Sequence, residues 1–450
     1  MKNYSILPTE ENAAKLLREN PIGRNSHVNQ FLQLLGAVEG NCSIALNGEW
    51  GSGKSVFARQ VKLLLDYQNP QCKQSDELKE IIEPIASQFL ECQSHATVYY
   101  DAWANDDHED PILSLVYATV ISGQSEYSAE KKKDIGDIVA RIADVVTGRS
   151  IAEALKAAKG VDYLEPLKQR DNIHELVRAF LNELILEKAN RLVIFVDELD
   201  RCRPAFAVQL LERIKHYFDD ERVTFVFSVN LTQLQHTVKG YYGYAFDATR
   251  YLDKFFDLRL ALPEVEPKNF IKYRFPFAKT ENLYTKICTH IAEQFSFTLR
   301  EMERYMRLTH IIVSKGLNKR NMLGFEDENA RFFAFAYVVP VAIAISMRDM
   351  NAYEKFITGE SPEVLEQTLM GTLNHTAFTY LGTARDGSQL QETLQEVRHI
   401  YNFLFSLTEK ALFQKQGGVN IGEMSFSIET RTEVKNALTM LSEWADYNAE

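Results

Sequence analysis

Cysteine is scarce in this sequence. There are five in 450 residues, scattered at Cys42, Cys72, Cys92, Cys202 and Cys288, and no pair has metal-ligand spacing. That excludes a zinc ribbon and a disulfide framework, and a chain of this length needs neither in order to fold. The economical expectation is a reducing, cytoplasmic compartment. An excess of basic charge is missing too: 50 Lys and Arg stand against 62 Asp and Glu, a net of −12. A general nucleic-acid coat, which needs surplus Lys and Arg to displace counterions, is therefore not expected, although a local basic face stays open. Long apolar runs are also lacking. Phe332 to Met347 (FFAFAYVVPVAIAISM) carries no charge, but it falls short of the ~18 residues of a spanning helix and contains Pro340. It reads as a buried core helix kinked or started near the proline, with a re-entrant segment as the competing reading. The opening MKNYSILPTEENAAKLL has acids and no apolar stretch, so neither a signal nor a transit peptide is expected. There are no internal repeats and no low-complexity tract.

What is present is an ordinary globular composition, 45% apolar and 25% charged, in a chain long enough for roughly three structural units. From 41 to 265, β-type apolar runs alternate with helical patterns: Ser43–Leu46, Thr97–Tyr100, Leu192–Val196, Val223–Val229 and Phe256–Leu262. LVIFV and VTFVFSV are continuous rather than alternating, as strands covered on both faces of a parallel sheet should be. The predicted fold class is thus α/β, a layered core with a parallel sheet. Residues 121–190 interrupt it with a polar stretch read as inserted helices, whose best apolar run, IVARIADVV, is too short to cross a bilayer. After Pro263 strand signals vanish and amphipathic helix dominates. Thr298-Leu299-Arg300-Glu301 has capping-box form, and Leu299, Met302, Met306, Thr309 and Val313 follow at helical spacing. The stretches 315–330 and 382–390 look like polar loops. The expected organisation is a leader over 1–30, a core over 31–265, a helical lid over 266–350 and a further helical region over 351–450.

The strongest motif is Gly48-Glu49-Trp50-Gly51-Ser52-Gly53-Lys54-Ser55, which matches G-x-x-x-x-G-K-[ST] between the run SIAL and the helical pattern VFARQVKLLLDY. That context is what the motif requires. Glycines let successive N–H groups turn inward around phosphates, and the helix N-terminus adds partial positive charge. Gly48 through Val56 are the expected nucleotide cradle, with Lys54 reaching the β- and γ-phosphates and Ser55 offering its hydroxyl to Mg²⁺.

LVIFV ends in Asp197-Glu198. A buried strand with an acid at its tip would present Asp197 to Mg²⁺ and Glu198 to the attacking water. An acid poised there favours hydrolysis over transfer to a small-molecule acceptor. The run Val223–Val229 ends at Asn230, which can orient water or touch the γ-phosphate, or can simply cap the next helix; both can hold.

These segments together resemble the KAP P-loop NTPases, within the broader group that includes AAA+ and STAND proteins. The resemblance is carried by GEWGSGKS at 48–55, YYDAW at 99–103, DELDRC at 197–202, YLDKFFDLRLALP at 251–263 and NPIGR at 20–24, and it spans roughly 20–350. It implies that Lys54 and Ser55 serve nucleotide and metal, and that Asp197 and Glu198 serve Mg²⁺ and hydrolysis. Many KAP proteins insert transmembrane helices in this domain, whereas the insertion here is polar. The resemblance also suggests a role in bacterial defence or mobile-element conflict.

ATP hydrolases of this group often complete the site with an arginine. Arg201, Arg250 and Arg300 are the candidates, Arg300 because TLREMERYMR is similar to the lid helix of AAA+ initiators. Arg201 can equally pair with a neighbouring acid, and Arg300 can be a solvated surface residue. Between Phe295 and Arg320 six basic residues face two acids; this is read as a solvated face, with a partner or nucleic-acid surface as the alternative. The acidic stretch 106–110 is expected to be a solvated loop rather than a metal cluster, and Trp103 a core anchor. The leading expectation is an ATP-hydrolysing, Mg²⁺-dependent conformational switch. A nucleotide-gated scaffold and a nucleic-acid-dependent ATPase are the alternatives. ATP and a protein partner, or self-association through the helical half, are expected, nucleic acid is less favoured, and no membrane partner is.

Overall fold

In a computed structural model of the chain, residues 8–72, 74–92, 95–108, 110–123, 129–147, 165–275, 283–318, 327–370, 377, 381, 390–406 and 418–446 are described. They divide into two compact units, 1–264 and 265–450.

The first unit is built on five strands, β1 (Cys42–Asn47), β2 (His95–Asp101), β3 (Arg191–Asp197), β4 (Val223–Val229) and β5 (Leu258–Ala261). Each apolar run of the sequence falls on one of them. All pairings are parallel and the spatial order is β2-β3-β4-β1-β5. The central strands β1, β3 and β4 are buried almost throughout, because helices cover both faces of a parallel sheet. Of the edge strands, β2 carries buried and half-exposed positions and β5 alternates half-exposed with exposed ones. Two apolar layers result. Ala45, Val98, Ile194, Val196, Phe225 and Phe227 face one, and Ile44, Leu46, Val193, Phe195 and Val226 face the other. Register then does the positioning. Asp101 lies beside Asp197 and Asp197 beside Ser228, while Asn47 lies beside Val229 and Ala261. The polar residues that end the strands therefore share one edge of the sheet, where parallel α/β folds gather their ligand-binding groups.

The 121–190 interruption contains the helices Ala129–Thr147 and Glu165–Lys188. The acidic stretch departs from expectation. Asp106 accepts the backbone N–H of Arg203 at 2.9 Å and pairs with its guanidinium. Asp110 caps the helix Pro111–Gly123 through the N–H of Ile112 at 2.8 Å and pairs with Arg213 at 3.2 Å. Both carboxylates are spent on structure rather than on water, and Glu109 lies outside the described residues.

The second unit is mainly helical. Thr298 and Glu301 form the expected reciprocal cap: the Thr298 N–H donates to the Glu301 carboxylate at 2.9 Å, and the Glu301 N–H to Thr298 Oγ1 at 3.4 Å. Met302, Met306, Thr309 and Val313 are buried along the helix Leu299–Asn318. That helix runs into the stretch expected to be a loop at 315, and the helix Glu328–Phe333 begins inside it. Residues 319–326 and 382–389 lie outside the described residues. Around Pro340, Glu328–Phe333 passes into a π-helical turn at Ala334–Val338 and then into Val339–Arg348. Proline has no N–H and would clash with the carbonyl four residues back, so the backbone widens just before it. Among the described residues this 21-residue helical span is the one long and apolar enough to cross a membrane, and 83% of its apolar window is buried inside the protein. One feature departs from the all-helical expectation, an antiparallel hairpin of β6 (Gly418–Ile421) and β7 (Met424–Ser427). Its four-residue strands are too short to register in a hydrophobic pattern.

Candidate nucleotide site

The cradle forms between β1 and the helix Lys54–Gln68. Gly51 and Gly53 have φ of +82° and +95°, a backbone region that side chains oppose. A Cβ at Gly48 would stand 2.8 Å from Ser52 Oγ. Gly51 and Gly53 need glycine for the turn itself, and Gly48 for its close approach to Ser52. The Ser52 hydroxyl is buried without a hydrogen-bond partner among the described residues, and Glu49 and Trp50 are exposed. Val56, one residue past the loop, is half-buried in the first turn of the helix.

Lys54 is buried, and its Nζ donates to the carbonyls of Gly48 at 2.7 Å and Glu49 at 3.0 Å. Burial lowers its pKa, and Asp200, Asp197 and Glu198, its electrostatic neighbours, oppose that shift. An ammonium bonded to two loop carbonyls and faced by three carboxylates is a cation held in place at the loop.

Asp197 is buried at the end of β3, and burial raises its pKa. Hydrogen bonds from Ser55 and Tyr99 act in the opposite sense. The loop hydroxyl and the strand-tip acid therefore already meet. An oxygen pair of this kind suits Mg²⁺, which takes one or two protein oxygens and keeps several waters. The donor set and the glycine cradle fit nucleotide with Mg²⁺. Tyr99, whose phenol donates to Asp197 Oδ2, was not singled out from the sequence. It lies in the YYDAW segment on β2, and Arg59 stacks over its ring at 3.8 Å.

Glu198 has φ +61°, one of three non-glycine residues in the left-handed region among those described. Burial, followed by the charge of Asp197, pushes its carboxyl up to about 7, and Arg201 opposes this. Such backbone strain persists only where surrounding contacts over-determine it. Arg201 supplies one of those contacts, pairing through Nε with Glu198 Oε2. Its guanidinium also lies over Trp50, 5.6 Å from the ring centroid, and over Trp103 at 5.4 Å. Trp103 is 53% exposed, so it is not the core anchor expected from its place beside β2; the chain turns outward at Trp103–Asn105.

Asn230 caps the helix Leu231–Tyr242, its Oδ1 accepting from Thr232 and Gln233 at 3.1 and 3.2 Å. Its amide nitrogen is left as the group that could face a ligand. Asn47, also overlooked in the sequence, ends β1 and accepts the Leu231 N–H at 2.9 Å. Arg24, from NPIGR, is buried and donates to the Pro263 carbonyl at 2.8 Å, and burial lowers its pKa to about 10. Arg250 is exposed in the short helix Ala248–Leu252. Arg300 is exposed on the second unit, where Arg304 and Arg307 share its face. Arg307 and Arg274 pair with the buried Glu303, at 3.6 and 3.0 Å. Lys319 and Arg320 lie outside the described residues.

A parallel sheet whose β1 runs through a glycine-lysine-serine turn into a helix, with acids ending β3 beside it, defines a P-loop NTPase. The sequence profile of the KAP family P-loop domain matches residues 24–315. The chain belongs to the KAP family of P-loop NTPases and carries its nucleotide-binding domain. A comparison with curated proteins gives no match. Among solved structures, the chain is similar to the ORC1 protein of Aeropyrum pernix, determined in complex with DNA. The identity is 14%, over 96% of this chain and 94% of that one, with a TM-score of 0.31. So distant a likeness carries no argument about fold or partner.

Proposed function

We propose that the chain binds ATP with Mg²⁺ at Gly48–Val56 and hydrolyses it. Lys54 would hold the terminal phosphates, Ser55 and Asp197 the metal, and Glu198 would polarise the attacking water. The metal would neutralise charge developing on the phosphate oxygens. The reading is carried by one observation: Lys54 is buried among Asp197, Glu198 and Asp200 at the mouth of a glycine cradle. Hydrolysis would drive a conformational switch, with residues 266–350 as the responding lid and Arg300 as its candidate phosphate-sensing arginine. The helical half would offer the surface for a protein partner or a second copy. A place in bacterial anti-phage defence or mobile-element conflict is supported by family membership alone. The test is phosphate release from ATP in Mg²⁺, which Lys54→Ala should abolish. Unchanged turnover in that variant would overturn the assignment.

The pairing of Arg201 with Glu198 favours a second reading, a nucleotide-gated scaffold that turns over little. Equal single-turnover rates for the wild type and Glu198→Gln would support it.

A further inference from the structure

Arg201 is held by contacts of unlike origin. Its Nε pairs with Glu198 within a single 3₁₀ turn, which is closed by the Arg201 N–H donating to the Glu198 carbonyl at 3.1 Å. The left-handed backbone at Glu198 starts that turn and sets the two side chains against each other. The rest of the guanidinium has no acceptor among the described residues, and two indole faces cover it instead.

The two rings differ in what holds them. Trp50 is the third residue of the phosphate loop, and its Nε1 donates at 2.5 Å to the carboxylate of Asp200, the buried residue next to Arg201. The loop thus grips the 199–201 turn twice, by a hydrogen bond to Asp200 and by stacking on Arg201. Trp103 belongs to the other side of the site. It follows β2 in a turn fixed by Asp101, whose carboxylate accepts the Ala104 N–H at 3.0 Å and whose carbonyl accepts from Asn105 at 2.7 Å. One ring follows the loop and the other follows the sheet. Both are large and exposed, at 44% and 53%. For a guanidinium, stacking preserves position while leaving its hydrogen-bonding edge open.

We propose that Arg201 is a positioning residue that couples the phosphate loop to Glu198, reading a change at Trp50 and passing it to the water-polarising carboxylate while Trp103 serves as the fixed wall. The inference rests on the reading that nucleotide occupies the loop. It assigns this chain's DELDR arginine a role through Glu198 rather than on the phosphate.

The chain has three tryptophans, so protein labelled with 5-fluorotryptophan gives three ¹⁹F signals, assignable by single Trp→Phe replacements. Adding a non-hydrolysable ATP analogue with Mg²⁺ should shift both Trp50 and Trp103. In Arg201→Ala, Trp50 should still shift and Trp103 should stop responding. Turnover of that variant should fall about tenfold or more, with analogue affinity within about threefold of wild type. Combining it with Glu198→Gln should cost no more than Glu198→Gln alone, since both act through one carboxylate. Arg201→Lys, which keeps the charge and loses the stacking plane, should recover part of the rate.

Equal Trp103 shifts with and without Arg201 would overturn the coupling. So would a silent Trp103 in wild-type protein that binds the analogue by calorimetry. An affinity loss as steep as the rate loss would place Arg201 on the nucleotide itself and overturn the positioning role. No binding heat in the wild type would defeat the ATP reading, a failure distinct from these.

Discussion

Both units bury cations, and Arg431 in the second and Lys54 in the first are used differently. In the second unit two arginines, Arg431 and Arg348, are committed to backbone. Arg431, buried, donates to the carbonyls of Phe403 and Ser406 at 2.7 and 2.6 Å, at the end of the helix Leu390–Phe405. The exposed Arg348 donates likewise to the carbonyls of Phe295 and Ser296 just past the helix Leu283–Gln294, and pairs with Glu301 at 3.0 Å. Terminal helix carbonyls lack partners inside the helix, and an arginine that satisfies two of them is spent. In the first unit Lys54, among the described residues, bonds its own loop, beside acids, a Ser52 hydroxyl with no described partner and a strained Glu198. A buried cation that closes helix-end carbonyls stabilises a fold, whereas one held beside open donors and acceptors is available to a ligand. The contrast separates scaffold from candidate site without reference to any relative.

It can be broken at three points. The largest effect belongs to Glu198→Gln. If that carboxylate polarises water, single-turnover hydrolysis should fall by about 10²–10⁴, with analogue binding retained. Its pKa is raised to about 7 and the ionised form is the active one. Turnover should therefore rise with pH on an acid limb above the usual carboxylate range and level off beyond it, and the limb should vanish in the variant. A limb confined to the ordinary carboxylate region would show that Glu198 is not the group being titrated.

A smaller effect is expected at Tyr99. Phenylalanine there removes the hydrogen bond that orients Asp197, so the Mg²⁺ concentration for half-maximal activity should rise by about 10–100-fold. An unchanged Mg²⁺ requirement would make the Tyr99–Asp197 contact purely structural.

The smallest functional effect, and the sharpest form of the contrast, is Arg431→Ala. It leaves two helix-end carbonyls without their donor, which should cost roughly 2–3 kcal/mol in unfolding free energy. Nucleotide affinity should not change. A loss of affinity with no loss of stability would erase the distinction between the two kinds of buried charge.

Much of the core was legible because its signals are local. The run VTFVFSV is β4 residue for residue, since burial on both faces demands apolar residues at every position. Thr298 and Glu301 announce their helix because a capping box is complete within four residues. Pro340 marks its own backbone disturbance. Trp103 misled for the opposite reason. An indole following a strand has the composition of a core anchor, and only the path of the chain turns it outward beside Arg201. Asp106 and Asp110 likewise looked like a solvated acidic loop until Arg203 and Arg213, distant in sequence, were brought to them.

By itself the sequence determined the strands, the glycine turn and the residue types of the site, because backbone conformation and burial period are properties of neighbouring residues. Only the tertiary structure decided that Tyr99 would hold Asp197, that Asn47 would anchor the helix after β4, and that Arg201 would lie between Trp50 and Trp103. Those contacts join strands whose order in the sheet differs from their order in the chain. No local pattern records which side chains such a rearrangement brings within hydrogen-bonding distance.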